Sequence, residues 1–285
     1  MRTERRRFIL LALLGIVGGA GHAKGQPAQS DYAQIGPLRM YYEIRGQGAP
    51  LLLLHGGGST IQTTFGAIMP VLAKTRRIIA PEQQGHGHTA DVDRPLSFRQ
   101  MASDTAALLD RLGLRQVDVL GFSNGGSVAM ELAMRRPDLV RRLVLASVYS
   151  RRDAIHPQLL RSFETATAQD MPQVYRQAYL SVAPNPGDLA TLTPKLMRNL
   201  LSFEGWTDSE LASIKAPTMV LQADQDVASA EHVAALARTL PNAQLVMLPG
   251  GHGGYLGEVL AAAPSSKLYL YTAGIITEFL DGIPR

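Results

Sequence analysis

The run Gly121-Phe122-Ser123-Asn124-Gly125 sets a serine between two glycines, directly after an apolar stretch and directly before a helical one. At such a strand-to-helix turn the serine takes a sharp, strained backbone conformation that exposes its hydroxyl at the carboxyl edge of a sheet. Side chains at the flanking positions would collide with neighbouring backbone. The helix that follows turns unpaired N–H groups toward the hydroxyl and favours negative charge developing there. Ser123 is therefore a candidate nucleophile, and a serine hydroxyl attacks only when a base takes its proton and an acid orients that base. Of the seven histidines, His252 is the best base, because Leu248-Pro249-Gly250-Gly251-His252-Gly253 puts it in a glycine-rich loop after the last predicted strand. For the acid, Ala216-Pro217-Thr218-Met219-Val220-Leu221-Gln222-Ala223-Asp224-Gln225-Asp226 is a strand ending in two candidates. Asp226 is the better choice and Asp224 the alternative. The chain order Ser, Asp, His is the one that accompanies this kind of serine turn. A tetrahedral intermediate also needs donors for its oxyanion. His55-Gly56-Gly57-Gly58, ending another strand, offers the Gly57 N–H to converge with that of Asn124. His55 itself reads as a structural residue of the turn.

The elements that must position these groups follow from the pattern of apolar residues. Strand-length runs at 38–45, 50–54, 77–80, 117–121, 142–146, 218–223 and 244–248 alternate with longer amphipathic stretches, as in an α/β domain with a mainly parallel sheet. Residues 97–112 have a helical period, with Ser97 as N-cap and Gln100 three residues on. Residues 127–136 and 230–240 read as helices stopped by Pro137 and Pro241. From 151 to about 213 no strand is evident, and helical segments are cut by Pro157, Pro172, Pro184, Pro186 and Pro194. This reads as a helical insertion whose Phe163, Tyr175, Tyr179, Phe203 and Trp206 either line an apolar pocket or pack the insertion onto the main domain.

With these residues in this order, residues 39–279 resemble the α/β-hydrolase superfamily, in its serine esterase, peroxidase-like and C–C hydrolase branches. Gln84-Gly85-His86-Gly87-His88-Thr89 is similar to the Gly-His-Gly-x-Ser loop after the fourth strand of those branches. The resemblance implies an eight-stranded, mainly parallel sheet with flanking helices, a core at residues 24–150 and 214–285, and a small helical cap at 151–213. Two departures stand out. Thr89 replaces the serine of that loop, and Val227-Ala228-Ser229 lacks the proline usual after the acid turn, which keeps both aspartates in play. His86, His88 and Glu82 have the donor types of a metal site, but the resemblance makes them part of a structural loop. It implies a hydrolase without metal or cofactor, acting on a small-molecule ester. C–C bond hydrolysis, perhydrolysis or acyl transfer with the same triad, and a slowly turning-over ligand receptor, are the rivals. Serine at 123 excludes the branches that use aspartate as nucleophile.

The 285 residues are 46% hydrophobic and 18% charged, a composition of a folded globular protein. The absence of cysteine excludes a disulfide scaffold, a thiolate metal site and a cysteine nucleophile. The formal charge of +4 is concentrated at the start: without the first ten residues, which carry Arg2, Arg5, Arg6 and Arg7 against Glu4, it falls to +1. A nucleic-acid partner is therefore not expected. Residues 1–7 form a basic region, 8–20 an apolar run, and Gly21-His22-Ala23 a small-x-small ending, the pattern of a signal peptide at 1–23. The run is short of the roughly 20 residues that span a bilayer, so no stable membrane anchor is expected after its removal. Arg5-Arg6-Arg7-Phe8-Ile9 resembles a twin-arginine export signal. Engagement with the export machinery and a periplasmic or secreted mature enzyme are the expectation.

Overall fold

Leu51, Leu52, Leu53 and Leu54 are all fully buried. Side chains alternate across a strand, so Leu51 and Leu53 enter the core on one face of the sheet and Leu52 and Leu54 the core on the other. A strand apolar at every position belongs in a sheet covered on both faces, which is the situation of parallel strands linked by helices. The computed structural model describes residues 29–282. The expected signal segment at 1–23 and the expected mature start at residue 24 lie outside the described residues.

The strands are β1 (Gln29–Ile35), β2 (Leu38–Arg45), β3 (Ala49–Leu54), β4 (Arg76–Pro81), β5 (Val117–Phe122), β6 (Val140–Ala146), β7 (Thr218–Gln225) and β8 (Ala243–Gly251). They form one sheet in the order β1-β2-β4-β3-β5-β6-β7-β8. The β1–β2 and β2–β4 pairs are antiparallel and the rest parallel. Helices α1 (Ile61–Phe65) and α2 (Met69–Leu72) follow β3, α3 (Phe98–Arg111) follows β4 and α4 (Asn124–Arg135) follows β5. Between β6 and β7 lie α5 (Pro157–Glu164), α6 (Gln173–Val182), α7 (Leu189–Ser202) and α8 (Asp208–Ala212); α9 (Ala230–Thr239) joins β7 to β8, and α10 (Leu268–Asp281) ends the described chain. The strand order reverses between β3 and β5, and a parallel sheet opens a crevice at the carboxyl ends of the strands where this happens.

Three elements depart from the sequence expectation. β1 has no apolar run, because as an edge strand it buries only Ala33 and Ile35. Helix α4 starts at Asn124 rather than 127, because the turn at Ser123 passes into it without a linker. Helix α10 carries apolar residues around much of its circumference, which blurs its period, yet it packs Ala273, Ile276, Phe279 and Leu280 into the core.

Opposite the crevice, at the start of β5, Asp118 is completely buried. Its carboxylate accepts from Arg141, 2.5 Å away, and from Arg76 at 3.4 Å; Arg76 also pairs with Asp281 of α10. Burial raises the Asp118 pKa, against the lowering influence of Arg141 and Arg76. Removing one partner of a buried pair strands the other, which costs about 3–5 kcal/mol. Asp118→Ala is expected to lower the melting temperature by roughly 10 °C, measured by calorimetry, with the kcat of the remaining folded enzyme unchanged.

Candidate active site

Ser123 has φ 53° and ψ −120°, a conformation that L residues rarely adopt. The turn is tight enough to forbid side chains beside it: a Cβ on Gly125 would lie 2.1 Å from the Leu54 carbonyl oxygen, and one on Gly121 2.4 Å from the Gly125 carbonyl oxygen. Helix α4 can therefore start against the end of β3 only with glycine at these positions. The Ser123 hydroxyl is brought to the crevice between β3 and β5.

From the loop after β8, His252 points its Nε2 at the Ser123 Oγ, 2.9 Å away, and its Nδ1 at the Asp226 Oδ1, 2.5 Å away. In the tautomer that suits both contacts, Nδ1–H donates to the carboxylate and Nε2 accepts the serine proton. Asp226 also accepts from the Val227 N–H at 2.7 Å, the Ala223 N–H at 3.3 Å and the Ser147 hydroxyl at 2.5 Å. Burial on its own would raise the Asp226 pKa, but the hydrogen bond and charge of His252, with the bonds from Ser147 and Val227, outweigh it and hold the carboxyl below its usual range. Asp224, the other candidate, is exposed and accepts from the Gly250 N–H at 2.7 Å. It braces the loop that carries His252 and does not reach the imidazole.

At the proposed oxyanion position the backbone leaves a clear choice. The Gly56 N–H donates to Thr64 Oγ1 at 3.3 Å and the Gly58 N–H to His86 Nε2 at 3.0 Å. The Gly57 N–H has no protein acceptor among the described residues. A Cβ on Gly57 would meet the Asn124 Cβ at 3.3 Å, so the two backbones adjoin, and Asn124, as first residue of α4, has an N–H without an intrahelical acceptor. His55 is buried, donating from Nδ1 to the Gly56 carbonyl at 2.8 Å and accepting at Nε2 from the Gln83 N–H at 3.1 Å. Burial, with the nearby His86, pushes its pKa down to about 3, so it is a neutral tie between the loops after β3 and β4. His86 has both ring nitrogens engaged, and His88 pairs with Glu82 at 2.8 Å. Thr89 bridges the Glu82 carbonyl and the Tyr41 N–H, bonds that a serine hydroxyl would make equally well.

A cavity of about 260 Å³ opens above Ser123, with apolar walls from α5 and α7. Phe163 and Tyr175 line it. Tyr179, Phe203 and Trp206 instead pack inside: Phe203 lies 4.5 Å from Trp206 and 5.1 Å from Phe98, and the Trp206 Nε1–H donates to Glu131 at 2.8 Å. Sequence reasoning missed Ser147 and Tyr255. Ser147 directly follows β6, also has φ 53°, and stands 2.8 Å from the Tyr255 hydroxyl, which in turn lies 3.0 Å from the Leu221 carbonyl. Ser147 gives its one hydroxyl proton to Asp226, so its oxygen is the acceptor between the two hydroxyls, and the one Tyr255 proton is shared between that oxygen and the Leu221 carbonyl. The only sequence signal for Ser147 is its place at a strand end beside β5 and β7.

Neutralising the acid tests this arrangement. Asp226→Asn should lower kcat by about 10⁴, whereas Asp224→Asn, which keeps its acceptor oxygen, should stay within tenfold of the parent. Ser147→Ala should fall between them in steady-state kinetics.

A family model described as alpha/beta hydrolase fold matches residues 49–202, more than half of the chain. The 2-hydroxymuconate semialdehyde hydrolase of Pseudomonas sp. strain CF600 is 40% identical over 111 residues, 38% of this chain and 39% of its own. The pyrrolizixenacetamide deacetylase of Xenorhabdus hominickii is 32% identical over 116 residues, 41% and 44% of the two chains. This chain thus spans less than half the length of either curated relative. Among solved structures, a thermophilic esterase from Thermogutta terrifontis is similar over 89% of this chain and 98% of its own, with a TM-score of 0.70 and 23% identity, a likeness of fold. The sheet order, the serine turn and the family match agree: the chain belongs to the α/β-hydrolase fold family.

Proposed function

We propose that the protein is a serine hydrolase that cleaves a neutral carboxylic ester through an acyl-enzyme on Ser123. The observation that carries this reading is the unbroken chain from Asp226 through His252 to Ser123, 2.5 and 2.9 Å long, opening on an apolar cavity. Ser123 Oγ attacks the acyl carbon as His252 Nε2 takes its proton, and Asp226 holds the imidazole in the right tautomer and stabilises its cation. The N–H groups of Gly57 and Asn124 receive the oxyanion, helped by the positive end of α4. The protonated Nε2 then gives its proton to the departing alcohol. Water, deprotonated by the same nitrogen, attacks the acyl-enzyme and releases the acid and Ser123.

The partial likeness to 2-hydroxymuconate semialdehyde hydrolase favours a second reading, C–C bond hydrolysis with the same three residues. The cavity weighs against an anionic substrate of that kind. A carboxylate taken out of water needs a cation or several donors, and no lysine or arginine among the described residues lines the cavity. Steady release of p-nitrophenol across an acyl-chain series, with a fluorophosphonate label on Ser123, would support the ester reading. A burst of one equivalent with no turnover would indicate a ligand-binding receptor and overturn it. Ser123→Ala is expected to lower kcat by about 10⁴ to 10⁶ and to remove the label, with little change in melting temperature.

Export is part of the proposal. The four arginines before a short apolar run support a periplasmic or secreted enzyme. Residues 1–30 fused to a reporter should carry it out of the cytoplasm, and a reporter that remains inside would refute this.

A further inference from the structure

The substrate cavity holds few polar groups. Ser123, His252 and the oxyanion donors are committed to the chemistry, and Tyr175 donates its hydroxyl to Glu258 Oε1 at 2.6 Å. Tyr149 is different. It borders the same cavity and is 95% removed from solvent, yet its hydroxyl has no hydrogen-bond partner among the described residues. Nor is its oxygen among the fully enclosed unpartnered atoms, so it keeps an accessible face at a residue that borders the cavity. A buried hydroxyl without a partner is a loss to the folded state. An isosteric phenylalanine would avoid that loss, so the group gains its bond when the cavity is filled. Burial pushes the phenol pKa up, which keeps the group a neutral donor. A neutral phenol can donate and accept, but its unpaired proton is satisfied only by an acceptor, and because no lysine or arginine among the described residues lines the cavity, that acceptor is uncharged.

We propose that the Tyr149 hydroxyl binds a second, uncharged oxygen of the substrate, so that the preferred substrates are neutral esters bearing an ether, keto or hydroxyl oxygen in addition to the scissile ester. This rests on the ester reading above and adds the substrate class to it. Tyr149 is a recognition residue, since it lies apart from the proton-transfer chain of Asp226, His252 and Ser123.

The test uses pairs of neutral chromogenic esters that differ only by one methylene replaced with an ether oxygen, varied in position through the acyl chain and, in a second series, through the alcohol. The parent enzyme is expected to favour the ether member at one position by roughly three- to tenfold in kcat/KM, mostly through KM. Tyr149→Phe should abolish that preference while leaving the all-methylene ester within about twofold. Because the lost hydroxyl has no protein partner, the variant should melt at the same temperature as the parent or higher. An equal change in both members of every pair, or no ether preference in the parent, would overturn the proposal, the former assigning the hydroxyl to bound water. A lower melting temperature would also overturn it, by giving the hydroxyl a structural bond. Failure of the ester reading is read separately, as no turnover of the all-methylene esters by the parent.

Discussion

The contact between the first turn of α4 and the end of β3 is the constraint on which the site depends. At Gly125 the helix backbone approaches the Leu54 carbonyl so closely that a methyl group would sit 2.1 Å from it. This approach forces Ser123 into its positive φ, because the chain has no slack between the last residue of β5 and the first of α4. It also sets Asn124 beside Gly57 and so brings two free N–H groups together. The positions of the proposed nucleophile and of the proposed oxyanion donors are thus consequences of one packing interaction between backbones, held by a sheet whose central strand is buried on both faces. Strain of this kind, of order 1–3 kcal/mol for a non-glycine residue in a sparsely populated backbone conformation, persists only where the surroundings over-determine it.

The acid side repeats the device one strand further along. Ser147 follows β6 with the same φ as Ser123 after β5, and its hydroxyl is turned into the sheet edge toward Asp226. The carboxylate is buried, and burial disfavours its charge. Four donors besides solvent offset that: His252, Ser147, Val227 and Ala223. An aspartate so held can stay ionised through the reaction and stabilise an imidazolium that forms for only part of the cycle. Asp224, two residues earlier and exposed, accepts from the Gly250 N–H and so restrains the segment leading into the histidine loop. The two aspartates have separate tasks because the pairing register shifts between Ala223 and Gln225 and Asp226 lies beyond the end of β7, so the rule that residues two apart share one face of a strand does not hold there.

What could be read in the sequence was what local patterning records. The seven apolar strands, the serine turn and the glycine-rich histidine loop were legible because each is a local pattern: an apolar run, or glycines at spacings that a close approach demands. Ser97 as the N-cap of α3 was legible for the same reason. Edge strand β1 was not, since pairing on one side and exposure of most side chains leave no apolar run to see. Ser147, Tyr255 and Tyr149 were invisible for another reason: their roles depend on which strand ends become neighbours, a property of sheet order. The aromatic residues of the insertion divided in a way that composition cannot express. Phe163 and Tyr175 line the cavity, while Phe203 and Trp206 pack against Phe98 and Trp206 bonds to Glu131.

The cavity shows how the fold separates reaction from selectivity. The reacting groups come from turns at the carboxyl ends of β3, β5, β7 and β8, where backbone geometry dictates their positions. Much of the wall that would meet a substrate comes from side chains of α5 and α7, joined by Tyr175 of α6. Polar ties hold these helices to the rest: Lys195 to Asp91 at 2.6 Å, Tyr175 to Glu258 at 2.6 Å, and Trp206 to Glu131 at 2.8 Å. Glu258 belongs to the loop after His252 and accepts the Leu260 N–H at 2.8 Å, so the helices between β6 and β7 are anchored to the segment that carries His252. A change of wall residue, such as Leu159 or Met197, alters cavity shape without touching that anchor or the strained turn. Selectivity can therefore vary through side chains while the chemistry stays fixed by backbone, the division of labour that lets one fold serve many hydrolytic reactions.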